Sequence, residues 1–152
     1  MVIKMDAVDI RILKLLQRNA RSTISDLSTG VGMSMPAVSE RLKKLEASGI
    51  IKQYCAILNP QLLNKQLMAL MFISLEHPRF HDSFADFVKQ ETEVQECYSI
   101  AGDYDYSLKV ITANTLSLEQ LLNKIKTLPG IQKTKTIVVL STITDRPSVT
   151  PD

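Results

Sequence analysis

Between positions 34 and 44 the chain gathers Ser34, Pro36, Ser39, Glu40, Arg41, Lys43 and Lys44, over about three turns if that stretch is helical. Hydroxyls and a carboxylate are groups that read base edges, with Glu able to accept from a cytosine amino group, whereas lysines meet phosphates. Arg41 lies at the flank of this group, where it can contact a DNA backbone or pair with a carboxylate inside its own domain. Lys52 is a further phosphate candidate. A second cluster, Ala101-Gly102-Asp103-Tyr104-Asp105-Tyr106, reads first as a tight turn, because Gly and Asp are turn residues. It also suits a zwitterion, with backbone N–H groups near Gly102 for a carboxylate and Asp103 or Asp105 for an ammonium group.

Catalytic and metal chemistry finds less support. The two histidines are His77 and His81, and His77 precedes Pro78, which biases it toward extended backbone and away from a shared helical face with His81. Cys55 and Cys97 stand alone in apolar surroundings, fitting a reduced intracellular protein better than a disulfide or zinc framework. No Gly-rich phosphate loop is present. The expectation is a non-enzyme without catalytic residues, metal or cofactor.

The 152 residues are 45% hydrophobic, enough for one compact domain or two small ones. The net charge of +2 hides an asymmetry. Residues 1–59 hold nine Lys/Arg and five Asp/Glu, net +4, and residues 60–152 hold nine and eleven, net −2. The first segment therefore suits an anionic partner, but so small an excess implies that several copies act together. Lys4 and Asp6 replace the apolar core of a signal peptide, and the longest apolar run, Leu67–Leu75, is too short to span a bilayer as a helix. A cytoplasmic, nucleoid-associated protein without membrane contact is expected.

Three helices must position the first cluster. Asp6 caps one running to about Asn19, and Val8, Ile12, Leu15 and Leu16 form its apolar side. Thr23 and Asp26 form a capping box for a two-turn helix around Leu27, ended by Gly30 and Gly32. Ser34 caps a third helix, with Val38, Leu42 and Leu45 inward and a stop at Gly49. Taken alone, the third helix is an ordinary amphipathic one. Preceded by two helices joined through very short turns, it occupies the reader position of a helix-turn-helix.

Residues 50–58 are β-prone and end at Asn59-Pro60, as expected of a strand linking two domains and pairing with another strand, such as its copy in a partner chain. Strands are then expected at 67–75, 94–100, 106–112 and 131–140, with helices at 80–92 and 116–128. That βαββαβ order is the ferredoxin-like plait, whose helices cover one sheet face and leave the other to be covered by dimerisation. The fold class is α+β: a helix-turn-helix (winged-helix-like) domain at 1–50, a linking strand and hinge at 51–66, the βαββαβ domain at 67–141 and a loosely held tail at 142–152.

The stretch from Arg21 through Leu27 and Ser34-Met-Pro-Ala-Val-Ser-Glu-Arg-Leu-Lys-Lys-Leu-Glu-Ala-Ser-Gly-Ile-Ile, then Ala101-Gly-Asp-Tyr-Asp-Tyr-Ser-Leu-Lys-Val and Thr134-Lys-Thr-Ile-Val-Val-Leu, resembles the Lrp/AsnC, or feast/famine, transcription regulators. The resemblance implies sequence-specific binding of double-stranded DNA, a homodimer assembling further into octamers, and a small amino-acid effector at the dimer interface. It favours the effector reading of Gly102, Asp103, Tyr104 and Asp105, with hydroxyls from Ser99, Thr134 and Thr136, the last two contributed by the same or by a neighbouring subunit. Asn64 stands where the family usually has glycine, and asparagine also tolerates the left-handed conformation. Two rival readings share the resemblance: an architectural DNA organiser with low sequence selectivity, and a tetrapyrrole decarboxylase, for which the chain offers few cationic or histidine groups.

Overall fold

The computed structural model describes residues 4–152. They divide into two units, one ending at Ile57 and joined by Thr144–Asp152, the other comprising Leu58–Ile143.

The first unit is built on α1 (Ala7–Arg18), α2 (Ile24–Val31) and α3 (Met35–Ala47). Each begins where a side chain takes up orphan N–H groups. Asp6 accepts from the N–H groups of Val8 and Asp9, both at 2.9 Å, and Asp9 returns the bond to the Asp6 N–H. Thr23 and Asp26 form the second box, and Ser34 caps α3 through the Ala37 N–H. Gly32 closes α2 in the left-handed conformation. Gly30, expected as part of that stop, instead lies inside the helix, where a Cβ would come within 2.6 Å of Leu15. Ile12, Leu13, Leu16, Leu27, Val38 and Leu45 are buried together, each contributing about 1.5–3 kcal/mol of apolar burial.

The strand expected at 50–58 has no ladder partner among the described residues, and residues 52–59 are exposed. A single extended segment leaves its backbone groups to water unless another edge meets it. In the tail, which is largely exposed and has no helix or strand, the Gln17 amide donates to the Val149 carbonyl at 2.6 Å.

The second unit follows the βαββαβ order: β1 (Leu67–Leu75), α4 (His81–Gln90), β2 (Val94–Ser99), β3 (Tyr106–Thr112), α5 (Thr115–Lys126) and β4 (Ile131–Val139). The sheet order is β2-β3-β1-β4, with every neighbour antiparallel. A short 3-10 turn, Pro60–Leu63, precedes β1 and closes on Asn64 at φ 58°, the left-handed role expected of that residue. Strand alternation sends Ala69, Met71, Ile73, Leu108 and Val110 to the helix side, where they bury against Phe84, Leu118, Leu121 and Ile125. Gly130 sits where any Cβ would overlap the Phe80 ring, so no side chain fits there.

The opposite face presents Met68, Leu70 and Phe72 from β1. Their register partners are Ile111, Lys109 and Ser107 on one side and Val139, Ile137 and Lys135 on the other. Helices α4 and α5 pack on the other face, and Ile137 is 42% exposed.

Candidate DNA and effector sites

Helix α3 turns Val38 and Leu45 inward, with Leu42 partly buried beside them. Pro36, Glu40, Lys43 and Lys44 are exposed, whereas Ser39, about 100° from the buried stripe, is half-buried. Ser34 is exposed, but its hydroxyl already holds the cap. Lys52 is exposed as well. Glu40 and Lys44 pair one turn apart at 2.9 Å, and the Lys44 hydrogen bond holds the Glu40 carboxyl below the ordinary range. Lys43 makes no ion pair among the described residues.

Of the two roles open to Arg41, the structure has the intradomain one. Its Nη1 donates to Asp9 Oδ1 at 2.8 Å and to Asp6 Oδ2 at 2.7 Å. Both carboxylates already belong to the α1 capping box, so one guanidinium ties α3 to the start of α1. The Asp9 and Asp6 hydrogen bonds raise the Arg41 pKa. The Asp6 carboxyl is lowered, first by the Asp9 N–H and then by Arg41. Sequence reasoning passed over Met35, which is 50% exposed at the first position of α3. An apolar side chain there can meet a thymine methyl, and its place directly after the cap was the available signal.

The Gly102–Tyr106 stretch joins β2 to β3, with Gly102 at φ 141°, a conformation that favours glycine. Its two carboxylates are not equivalent. Asp105 brackets the end of β1: its N–H donates to the Ile73 carbonyl at 2.9 Å, and its Oδ2 accepts from the Leu75 N–H at 2.7 Å. That second bond falls where the β1–β4 register shifts. Asp103 is exposed and has no hydrogen-bond partner among the described residues. Tyr104 lies 5.8 Å from Phe72 between ring centres, with the Lys133 Nζ over its ring at 4.6 Å from the centroid.

Ser99 stands at the β2 end of this loop, opposite Tyr106. Thr134 and Thr136 do not join it within one chain: they pair with Ile73 and Met71, sharing the helix-facing side of the sheet, and the Thr136 hydroxyl is buried without a partner. The histidines go elsewhere. His77 accepts from the Arg79 N–H at 3.1 Å, and His81 stacks on Tyr106 and shares a hydrogen bond with its hydroxyl. Cys97 is half-buried, and burial pushes its thiol pKa up.

Two family models match this chain: winged helix-turn-helix DNA-binding at residues 5–52 and the Lrp/AsnC ligand binding domain at residues 68–149. The chain belongs to the Lrp/AsnC family. A leucine-responsive regulatory protein from Haemophilus influenzae is 39% identical over 142 residues, covering 91% of this chain and 86% of that protein. Among solved Lrp/AsnC structures, a Neisseria meningitidis transcriptional regulator in complex with L-Met superposes with a TM-score of 0.92 at 32% identity, over 96% of each chain. AsnC of E. coli gives 0.90 at 29% identity, covering 98% of this chain and 100% of that one. These Lrp/AsnC relatives are transcription regulators, which points away from an enzyme. No helix among the described residues is long and apolar enough to cross a membrane.

Proposed function

We propose that this protein is a sequence-specific DNA-binding transcription regulator in which α3 reads the major groove and an amino acid bound beside the Gly102–Asp105 loop tunes assembly. The observation carrying the first half is the capped, exposed outer face of α3. Met35, Pro36, Ser39 and Glu40 lie toward its N-terminal half for base contacts, and Lys43, Lys44 and Lys52 follow for phosphates. Arg41 positions α3 from within the domain. For the effector, the unpartnered Asp103 takes the ammonium group, N–H groups around Gly102 take the carboxylate, and Asp105 keeps its structural bonds. Ser99 lines the loop, while Thr134 and Thr136, on the helix-facing side of the sheet, are left out of this site.

The working unit is a homodimer, formed through the uncovered sheet face and the unpaired segment 52–59 and assembling further toward an octamer. Selection of operator DNA from a random pool, repeated with each amino acid, tests the reading. Ser39→Ala is expected to change sequence preference. Lys43→Ala is expected to weaken all sequences alike and to lower the salt slope by about 1. Equal losses on specific and random DNA for both would show that the faces of α3 are misassigned. Absence of heat and of any change in assembly with all amino acids would make the loop structural.

A further inference from the structure

The positive charge of the N-terminal segment does not sit on the reading helix. Helix α3 carries Arg41, Lys43 and Lys44 against Glu40 and Glu46, net +1, and most of these groups are occupied. Arg41 is held by Asp6 and Asp9, Lys44 by Glu40, and Glu46 accepts from the Tyr54 hydroxyl. By contrast, Arg11, Lys14, Arg18 and Arg21 equal the whole +4 excess of residues 1–59. All four are exposed, and none makes an ion pair among the described residues.

On α1 the spacing of Arg11, Lys14 and Arg18 places all three within about 60° of one another, opposite the buried Ile12, Leu13 and Leu16. The stripe covers ~10.5 Å of helix axis, the axial rise of about three phosphates along one DNA strand. Arg18 and Arg21 also suit the negative end of the helix dipole, but Arg11 and Lys14, earlier in the helix, gain nothing from it. Since α1 and α3 turn their buried stripes to one shared core, their outer faces are separate surfaces of the unit.

We infer that the outer face of α1, through Arg11, Lys14 and Arg18 with Arg21 beside them, is a second DNA-backbone surface that engages phosphates of a duplex segment other than the one read by α3. It adds affinity without sequence information and lets the protein bend or bridge DNA around a specifically read site.

The inference rests on duplex DNA being the partner, so its test reads the two surfaces separately. The full chain is compared with a triple variant, Arg11→Gln, Lys14→Gln and Arg18→Gln, and with Lys43→Gln. Glutamine keeps the helix propensity. Affinity is measured on a selected duplex of ~20 base pairs, about two helical turns, and salt dependence on one of ~150 base pairs, about one persistence length. Capture of a second labelled duplex is measured on protein saturated with the first.

The triple variant is expected to bind the short duplex within about 2-fold of the unaltered chain. Its second-duplex capture falls ~10-fold or more, and its salt slope on the long duplex falls by up to ~2.7 per engaged subunit. Lys43→Gln weakens the short duplex; if it does not, the α3 assignment fails independently. Unchanged capture and slope in the triple variant would overturn the proposal, as would an equal loss on the short duplex, which would put the stripe in the reader footprint. Should the triple variant melt, Lys14→Glu, a single exposed change able to pair with Arg18 one turn on, must still show the capture loss.

Discussion

At the scale of single residues, the positively charged groups of the reading helix differ in what they are free to do. Arg41 is spent on Asp6 and Asp9, and those carboxylates cap α1 at the same time. Arg41→Ala is therefore expected to lower the melting temperature of the N-terminal unit and to weaken operator binding with little change in salt slope, because no phosphate contact is lost. Arg41→Lys recovers only part, since an ammonium is more strongly hydrated and sits on a more flexible stem than the guanidinium whose Nη1 meets both carboxylates. Thermal melts read beside salt titrations check this, and a slope reduced by about 1 in Arg41→Ala would return the residue to the DNA backbone. The wheel placed Arg41 on the flank of α3, but nothing local indicated that Asp6, 35 positions away, would lie within reach.

Elements carry the next layer of argument. Helix α2 is eight residues long with one fully buried side chain, Leu27 at 1% exposure. A helix this short has little stability of its own, so its tertiary anchor decides whether it forms. Leu27→Ala is expected to cost about 2–5 kcal/mol, a large part of a typical domain's ~5–15 kcal/mol, and chemical denaturation of the N-terminal unit should show it. A second tie joins α3 to the segment that follows. The Tyr54 hydroxyl donates to Glu46 Oε1 at 2.8 Å, and burial, followed by the Glu46 bond and charge, pushes the phenol from 10.0 up to about 12. The folded state thus favours the neutral phenol. That contribution is fully present below pH 10 and is lost as pH rises through about 12. In an ultraviolet phenolate titration Tyr54 and Tyr106, whose phenol burial also pushes up, should ionise late, and Tyr54→Phe should remove one of those late steps.

Across the whole molecule, the sheet face opposite the helices is the surface proposed to govern assembly. Met68, Leu70, Phe72, Ile111, Ile137 and Val139 share it in register, an apolar strip that calls for a partner surface. Ile137→Asp, at a position exposed in one chain, is expected to leave the fold intact while shifting the assembly toward monomer in sedimentation velocity. An unchanged sedimentation coefficient would place the interface elsewhere.

The sequence determined the five α-helices and four sheet strands of the described residues, because caps, breakers and apolar periods act within a few residues, but the strand expected at 50–58 finds no ladder partner there and the 3-10 turn at Pro60–Leu63 was not anticipated. Asp6, Thr23 and Ser34 start their helices where expected, and β1 and β3 match residue for residue. It also singled out the two clusters of candidate site residues. Only the tertiary structure decided what those residues do: Arg41 paired, Asp105 committed to Leu75, Asp103 free, Thr136 turned to the helix side, and Gly30 a packing position, not a stop. Each outcome depends on a partner distant in sequence, where periodicity and propensity carry no information. The charge excess was countable from the chain, but its concentration on the outer face of α1 became visible only once Arg41 and Lys44 were seen to be occupied.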